Sequence, residues 1–192
     1  MAAPGITRHR RPFLAPIWIT ALVVLFAGAV LFVGARLALT YLNDVSTVVV
    51  LRHAEKAASP AGDPALTEEG RARAERLAQM FGDAAADLGA VRLVISSDAR
   101  RARETAAPLA ARLGLAVRVL PAADVDAVVQ TVHREGRGLT SLVVGHADTV
   151  PRLIAALGDG PAQVTVEEGD YGSIFIVTIS SFGPARVLQL RY

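Results

Sequence analysis

The chain begins with one long apolar segment and continues with shorter apolar runs that alternate with amphipathic stretches. Residues 13–35 carry no charged side chain. As an α-helix this segment would extend about 35 Å, enough to cross a hydrocarbon layer of about 30 Å. Such a helix offers water no polar face, so a place against a soluble core is disfavoured. The pattern therefore predicts a transmembrane anchor over residues 13–35.

A cleaved signal peptide is the alternative, because three arginines precede the apolar segment and small residues suited to a cleavage site occur near its end. The apolar core of a signal peptide is usually about 7–15 residues, so the length favours an uncleaved anchor. The basic tail at residues 1–12 would then lie in the cytoplasm. After a linker at residues 36–45, the remainder would lie outside the cytoplasm, or would be secreted if the segment is cleaved.

Residues 46–192 alternate between β-branched runs and stretches with one apolar face. This alternation predicts an α/β fold, a single three-layer domain with a mostly parallel sheet flanked by helices and preceded by one transmembrane helix. The runs predicted as strands are 45–51, 91–95, 115–120, 142–144, 174–179 and 187–190. Thr67 and Asp98 are predicted to cap helices, and Pro108 is expected to kink or divide its helix.

The amino-acid composition excludes several kinds of binding and catalytic site. The chain has no cysteine, which excludes a disulfide framework, cysteine-ligated metals and a thiol nucleophile. No metal-ligand cluster is apparent in the sequence, so neither a metal nor a cofactor is expected. The net charge is only +2, and the positive excess belongs to the N-terminal segment. A nucleic-acid partner is therefore not expected, and the oligomeric state stays open.

Polar side chains follow three of the predicted strands. Arg52 and His53 follow the first strand, Ser97 follows the second, and His146 follows the fourth. Because ligands of open parallel sheets bind at the carboxyl ends of the strands, we expect these side chains to share one site.

The helix after the second strand begins with Arg100, Arg101 and Arg103, and cations at that end oppose the helix dipole. A bound anion would explain one of the first two arginines, since helix N-termini and guanidinium groups both bind phosphate. Arg103 and the other member of the adjacent pair are expected to face solvent.

Four segments, in this order, resemble the histidine phosphatase superfamily (phosphoglycerate mutase-like), and the chain looks like a short bacterial-type member with an N-terminal anchor. The segments are Val48–Lys56, Leu66–Gly70, Ser96–Ala106 and Val143–His146. The resemblance implies that His53 is the nucleophile and becomes phosphohistidine. It also implies that Arg52, Arg101 and His146 bind the phosphate, with the register of Ser96-Ser97 selecting Arg101 over Arg100.

Several carboxylates are candidates for the general acid, the group that would protonate the leaving group. Many members of the family use a carboxylate after the third strand, where this chain has Asp124 and Asp126. Either of these could equally be a helix cap or a first-turn acid. Glu55 and Asp148, beside the two histidines, are further candidates.

The resemblance implies a metal-independent phosphatase acting through a phosphohistidine intermediate on a phosphomonoester or phosphohistidine substrate. The expected partners are a small phosphorylated substrate and the membrane, through residues 13–35. One alternative is a non-catalytic module that binds a phosphorylated ligand. A phosphoglycerate-type mutase is less expected, because the short chain has no recognisable insertion to retain and reorient a product.

Overall fold

The computed structural model describes residues 17–42, 45–82, 90–158, 164–180 and 183–192. Their contacts divide the chain after Leu42 into two units. In the first unit, helix α1 (Ile17–Leu42) continues through most of the predicted linker, whereas the basic tail and residues 13–16 lie outside the described residues. Its Trp18–Leu39 portion is long and apolar enough to cross a membrane, a criterion that a signal sequence also meets.

The second unit contains four strand–helix steps and a closing hairpin. In chain order the elements are β1 (Ser46–Arg52), α2 (Glu68–Gly82), β2 (Val91–Ser97), α3 (Arg100–Leu113), β3 (Val117–Leu120), α4 (Val125–Glu135), β4 (Thr140–Gly145), α5 (Thr149–Leu157), β5 (Ser173–Ile179) and β6 (Arg186–Arg191). The six strands form one sheet in the order β3-β2-β4-β1-β5-β6. The first four strands are parallel, and β5 and β6 are antiparallel to their neighbours. The predicted mostly parallel α/β domain is confirmed.

Strand β1 lies near the middle of the sheet, and its residues 48–51 are completely buried. Val49 and Leu51 pack on one face with residues of α2 and α3. Val48 and Val50 pack on the other face with residues of α4 and α5. This alternation explains the uninterrupted apolar run in the sequence, because a strand covered on both faces needs apolar side chains at every position.

Two predictions about helix ends had different outcomes. The Thr67 prediction is confirmed, because its hydroxyl accepts a 3.0 Å hydrogen bond from the amide of Gly70. The Asp98 prediction is wrong, since its carboxylate accepts from the amide of Ala122 and Ala99 occupies the cap position without a side-chain bond. Asp63, from a distant loop, accepts instead from the amide of Arg100 at 2.7 Å. Local sequence does not reveal a cap that arrives from another segment.

Pro108 does not divide its helix, contrary to one of the two outcomes expected from the sequence. Helix α3 is continuous from Arg100 to Leu113, with Pro108 inside it. Proline removes one amide donor from the helix. The neighbouring residues Ala106, Leu109 and Ala110 are buried against the sheet, and this packing holds the helix together across the missing bond.

Helix α2 begins in close contact with the loop that follows β1. A Cβ atom at Gly70 would overlap the backbone carbonyl oxygen of Glu55, whereas one at Gly62 would meet nothing within 4 Å. A backbone carbonyl cannot move aside as a flexible side chain can. Gly70 therefore allows α2 to approach the residues next to the end of β1.

We expect Gly70→Ala to destabilise the protein by about 1–3 kcal/mol through this overlap, although alanine in a helix is otherwise favoured over glycine by about 1 kcal/mol. Thermal unfolding of the full chain in detergent measures the change. Gly62→Ala is the matched control and should leave the melting temperature unchanged or slightly higher. Equal melting temperatures for the two variants would contradict the close approach.

Candidate active site

The carboxyl ends of three parallel strands meet at one edge of the sheet. Arg52, at the end of β1, pairs with Gly145 at the end of β4, and β2 lies on the other side of β4. The amide of His53 donates to the carbonyl of Gly145 at 3.0 Å. The rings of His53 and His146 consequently lie edge to face, with their centroids 5.2 Å apart. Both side chains are buried.

The His53 imidazole has a defined tautomer. Its Nδ1 lies 2.7 Å from the carbonyl oxygen of Ala54, which can only accept a hydrogen bond. Its Nε2 accepts a 3.1 Å bond from Nε of Arg101. These two bonds assign the proton to Nδ1 and leave the lone pair on Nε2.

The partners of His146 define the other imidazole in the same way. Nη2 of Arg101 lies 3.4 Å from Nδ1 of His146, and the Ser97 hydroxyl lies 2.8 Å from Nε2. Arginine has no acceptor, so Nδ1 accepts and Nε2 donates to the hydroxyl. Thr149, the first residue of α5, accepts from the backbone amide of His146 at 2.9 Å. Asp148, the residue before it, makes no capping bond with its side chain.

The three arginines at the start of α3 take different directions. The side chain of Arg101 is 19% exposed and contacts both histidines. Arg100 points outward and pairs with Glu104 at 2.7 Å, and Arg103 is exposed. The carboxylate of Asp63 lies 4.0 Å from Arg101 and already contributes one negative charge at this helix end. The carboxylate of Asp63 thus partly offsets the unfavourable interaction between these arginines and the helix dipole.

Arg52 is held by the segment that precedes β5. Its Nη1 donates to the carbonyl of Glu167 at 2.8 Å and also to that of Glu168. Its guanidinium lies 4.4 Å from the centre of the Tyr171 ring, which is 6.1 Å from the ring of His53. The antiparallel direction of β5, which sequence patterning did not reveal, brings this segment to the same edge of the sheet.

A cleft of about 400 Å³ opens beside the two histidines. We call it the histidine cleft, and its lining residues are Arg52, His53, Lys56, Arg101, Ala122, Ala123, His146, Ala147, Asp148, Thr149, Arg152 and Glu168. Its four cationic side chains outnumber its two carboxylates. The cleft is therefore suited to an anionic ligand, and it is larger than a phosphate group alone requires.

Burial and positive surroundings keep both histidines neutral. Desolvation is the main reason that the pKa of His53 falls to about 3, with further lowering by His146, Arg101 and Arg52. Desolvation followed by the charge of Arg101 also lowers the pKa of His146. A neutral imidazole has the free lone pair that a nucleophile needs.

None of the three carboxylates favoured as general acids from the sequence lines the histidine cleft. Asp124 caps α4, accepting from the amide of Ala127 at 2.9 Å, and Asp126 lies in the first turn of that helix. Glu55 is paired with Arg73. The carboxylates in the cleft lining are Asp148 and Glu168, both exposed.

Within the residues that the structure describes, no three histidine, aspartate or glutamate side chains come together as a metal site requires. The donors at the cleft are guanidinium groups, imidazoles and hydroxyls. This set suits a phosphate anion better than a divalent cation.

Comparison with known families indicates one superfamily. The sequence model of the histidine phosphatase superfamily (branch 1) matches residues 48–124, which contain Arg52, His53 and Arg101. The resemblance is confirmed. The domain is thus a phosphoric ester hydrolase of the histidine phosphatase type. No curated protein matches the chain.

Solved structures extend the likeness to about three quarters of the chain. The protein histidine phosphatase SixA, complexed with tungstate, is 26% identical with a TM-score of 0.58, covering 76% of this chain and 96% of that one. The mycobacterial glucosyl-3-phosphoglycerate phosphatase is 20% identical with a TM-score of 0.57, covering 77% and 98%. At that lower identity the second likeness concerns the fold alone.

Because the pKa of His53 is depressed, the folded domain is expected to lose stability in acid. Between its folded pKa of about 3 and its ordinary value of 6.5, the unfolded chain binds a proton that the folded domain does not. Stability from the neutral ring is therefore complete above pH 6.5 and is lost as the pH falls toward 3. Between pH 7 and 5 we expect wild type to lose about 2 kcal/mol more stability than His53→Gln, as measured by urea unfolding of the full chain. Equal losses would contradict the depressed pKa.

Proposed function

We propose that this chain is a metal-independent phosphatase that works through a phosphohistidine formed on His53. The observation that carries the proposal is the geometry of the ring: Nδ1 is bonded to Ala54, and the unprotonated Nε2 lies beside Arg101. A buried neutral imidazole with its lone pair facing guanidinium donors is suited to attack a phosphoryl group.

In the proposed first step, Nε2 of His53 forms a bond to phosphorus and the bond to the leaving group breaks. The leaving group departs with the bonding electrons and takes up a proton. In the second step a water oxygen attacks phosphorus, the N–P bond breaks, and the electron pair returns to Nε2. The water proton leaves to solvent or to a cleft carboxylate. The products are the free leaving group and inorganic phosphate.

The negative charge that spreads over the phosphoryl oxygens requires fixed donors. Arg101 and His146 lie beside Nε2 of His53. Arg52 lines the cleft, and its buried Nε has no acceptor among the described residues. A phosphate oxygen would satisfy that donor. These contacts support phosphate-binding roles for Arg52, Arg101 and His146.

We further propose that the substrate has a good leaving group. Asp124, Asp126 and Glu55 lie outside the cleft lining, and the two carboxylates that line it, Asp148 and Glu168, are exposed. Among the described residues the cleft therefore offers no buried carboxyl group to protonate an alkoxide. A phosphohistidine or an aryl phosphate requires less assistance from an acid. The likeness to a protein histidine phosphatase supports the phosphohistidine alternative.

The apolar helix α1 and the preceding arginines support a membrane-anchored enzyme with its catalytic domain, residues 46–192, outside the cytoplasm.

The covalent mechanism predicts that His53→Ala lowers turnover of an aryl phosphate by at least about 10³-fold. The full chain in detergent would be assayed with excess chelator, and acid-labile phosphate on the protein would be measured after rapid quenching. His133→Ala is the matched control, because His133 is an exposed histidine on α4.

Chelator-resistant turnover, with phosphate trapped in wild type and absent from His53→Ala, would establish the proposal. Loss of turnover in chelator would contradict metal independence. Phosphate binding by a folded wild-type protein with neither turnover nor trapped phosphate would instead favour a non-catalytic binding module.

The leaving-group argument gives a separate prediction. We expect kcat for a series of phosphate esters to fall by several powers of ten as the leaving group changes from a phenol of low pKa to an alcohol. Asp124→Asn and Asp126→Asn should change these rates less than 3-fold. Two results would identify an efficient proton donor and contradict the argument. One is a kcat that does not change with the pKa of the leaving group, and the other is a lower kcat for alkyl phosphates alone in Asp124→Asn or Asp126→Asn.

A further inference from the structure

We propose that the ion pair between Glu55 and Arg73 positions the nucleophile, by fixing the peptide group whose carbonyl orients His53. The inference rests on the proposed function and assigns Glu55 a role other than the proton donor considered from the sequence. It concerns a pair outside the histidine cleft that acts through the backbone next to His53.

The Glu55–Arg73 pair has the geometry of a fixed contact. Nε of Arg73 donates to both carboxylate oxygens of Glu55, at 2.8 and 3.0 Å, and Nη2 donates to one of them at 2.5 Å. Each side chain is only 14% exposed. Partly desolvated, forked guanidinium–carboxylate bonds are stronger and more directional than an exposed ion pair.

Arg73 is itself held in place. Its Nη1 donates to the backbone carbonyl of Tyr192 at 3.1 Å, and its guanidinium lies 5.5 Å from the centre of the Tyr192 ring. Desolvation of this partly buried side chain raises the pKa of Tyr192 to about 12, so its hydroxyl stays neutral beside the pair. The carboxylate of Glu55 is therefore tied to a cation that cannot easily follow it into solvent.

The connection to His53 passes through one peptide group. The carbonyl that accepts from Nδ1 of His53 belongs to Ala54, and the same peptide plane contains the amide nitrogen of Glu55. The preceding peptide is held by the hydroxyl of Thr105, which accepts from the amide of Ala54 at 3.0 Å. The following carbonyl, that of Glu55, accepts from the amide of Thr67 at 2.9 Å.

The side chain of Glu55 supplies the remaining constraint on that peptide. The amide of Glu55, which belongs to that peptide, hydrogen-bonds to the Glu55 carboxylate. Rotation of the Ala54–Glu55 peptide would break this bond, because Arg73 holds the carboxylate in place. Rotation would also remove the acceptor from Nδ1 of His53, so the proton could move to Nε2 and block the lone pair. The pair thus favours the tautomer that attack on phosphorus requires.

The charge state of Glu55 agrees with this role. Burial alone would raise the pKa of its carboxyl group, but the bonds from Arg73 and from the amide of Glu55, with the charges of Arg73 and Arg76, together hold the pKa below its ordinary value. The carboxylate is then ionised at neutral pH. An ionised carboxylate holds the arginine well and is a poor source of the proton that a leaving group needs.

The test compares Glu55→Gln, Arg73→Gln and the double variant in the full chain in detergent. We expect each single variant to lower kcat about 10-fold, with KM nearly unchanged. The loss should be equal for an aryl and an alkyl phosphate, and the double variant should be no slower than either single one. Glu135→Gln is the matched control, because it removes one partner of the exposed Arg118–Glu135 pair.

A second readout reports the nucleophile directly. In protein labelled with ¹⁵N-histidine, NMR should find the His53 proton on Nδ1 in wild type and divided between Nδ1 and Nε2 in the Glu55→Gln and Arg73→Gln variants. Arg73→Lys keeps the charge but not the fork, so it should retain the fold and give an intermediate kcat. This variant keeps the test decisive if a glutamine variant does not fold.

Three results would overturn the inference. The first is an unchanged kcat and an unchanged His53 tautomer in Glu55→Gln. The second is a loss of kcat confined to alkyl phosphates, which would make Glu55 a proton donor. The third is a double variant whose loss of kcat is the full product of the two single losses. Absence of turnover in wild type would instead refute the proposed function. The tautomer measurement would still test the positioning role in that case, because it needs no substrate.

Discussion

The hydrogen bond from Nδ1 of His53 to the carbonyl of Ala54 is the interaction on which the site depends. It places the proton on one side of a buried ring and leaves the lone pair on the other. The bond forms because the backbone just beyond β1 is held on several sides, by Gly145, Thr105 and Thr67. The central position of β1, covered on both faces, makes this backbone one of the most constrained segments of the fold.

A second constraint is electrostatic. Two histidines and two arginines meet at one edge of the sheet, and four positive charges there would repel one another strongly. Desolvation resolves this conflict by keeping the rings neutral, as the lowered pKa values of His53 and His146 indicate. The arginines donate to neutral acceptors, which are ring nitrogens for Arg101 and backbone carbonyls for Arg52. The site is thus arranged for an anion and for nucleophilic attack at neutral pH.

The predictions that failed share a physical cause. Asp98 was expected to cap α3 because it lies just before the helix, but Asp63 from a remote loop bonds to Arg100 there. Pro108 was expected to kink or divide the same helix, but burial of its neighbours keeps the helix undivided. In both cases a contact distant in the sequence outweighed a local preference.

The sequence by itself determined the α/β class, the apolar N-terminal helix and the placement of Arg52, His53 and His146 at strand ends, because these follow from periodicity and from the direction of parallel strands. It also selected Arg101 over Arg100 by its register in a recognisable motif. Only the tertiary structure decided the tautomer of His53, the contact of Tyr171 with Arg52 and the pairing of Glu55 with Arg73. These depend on the antiparallel direction of β5 and on the close approach of α2 at Gly70. Neither leaves a periodic signal in the chain, since both are contacts between segments far apart in sequence.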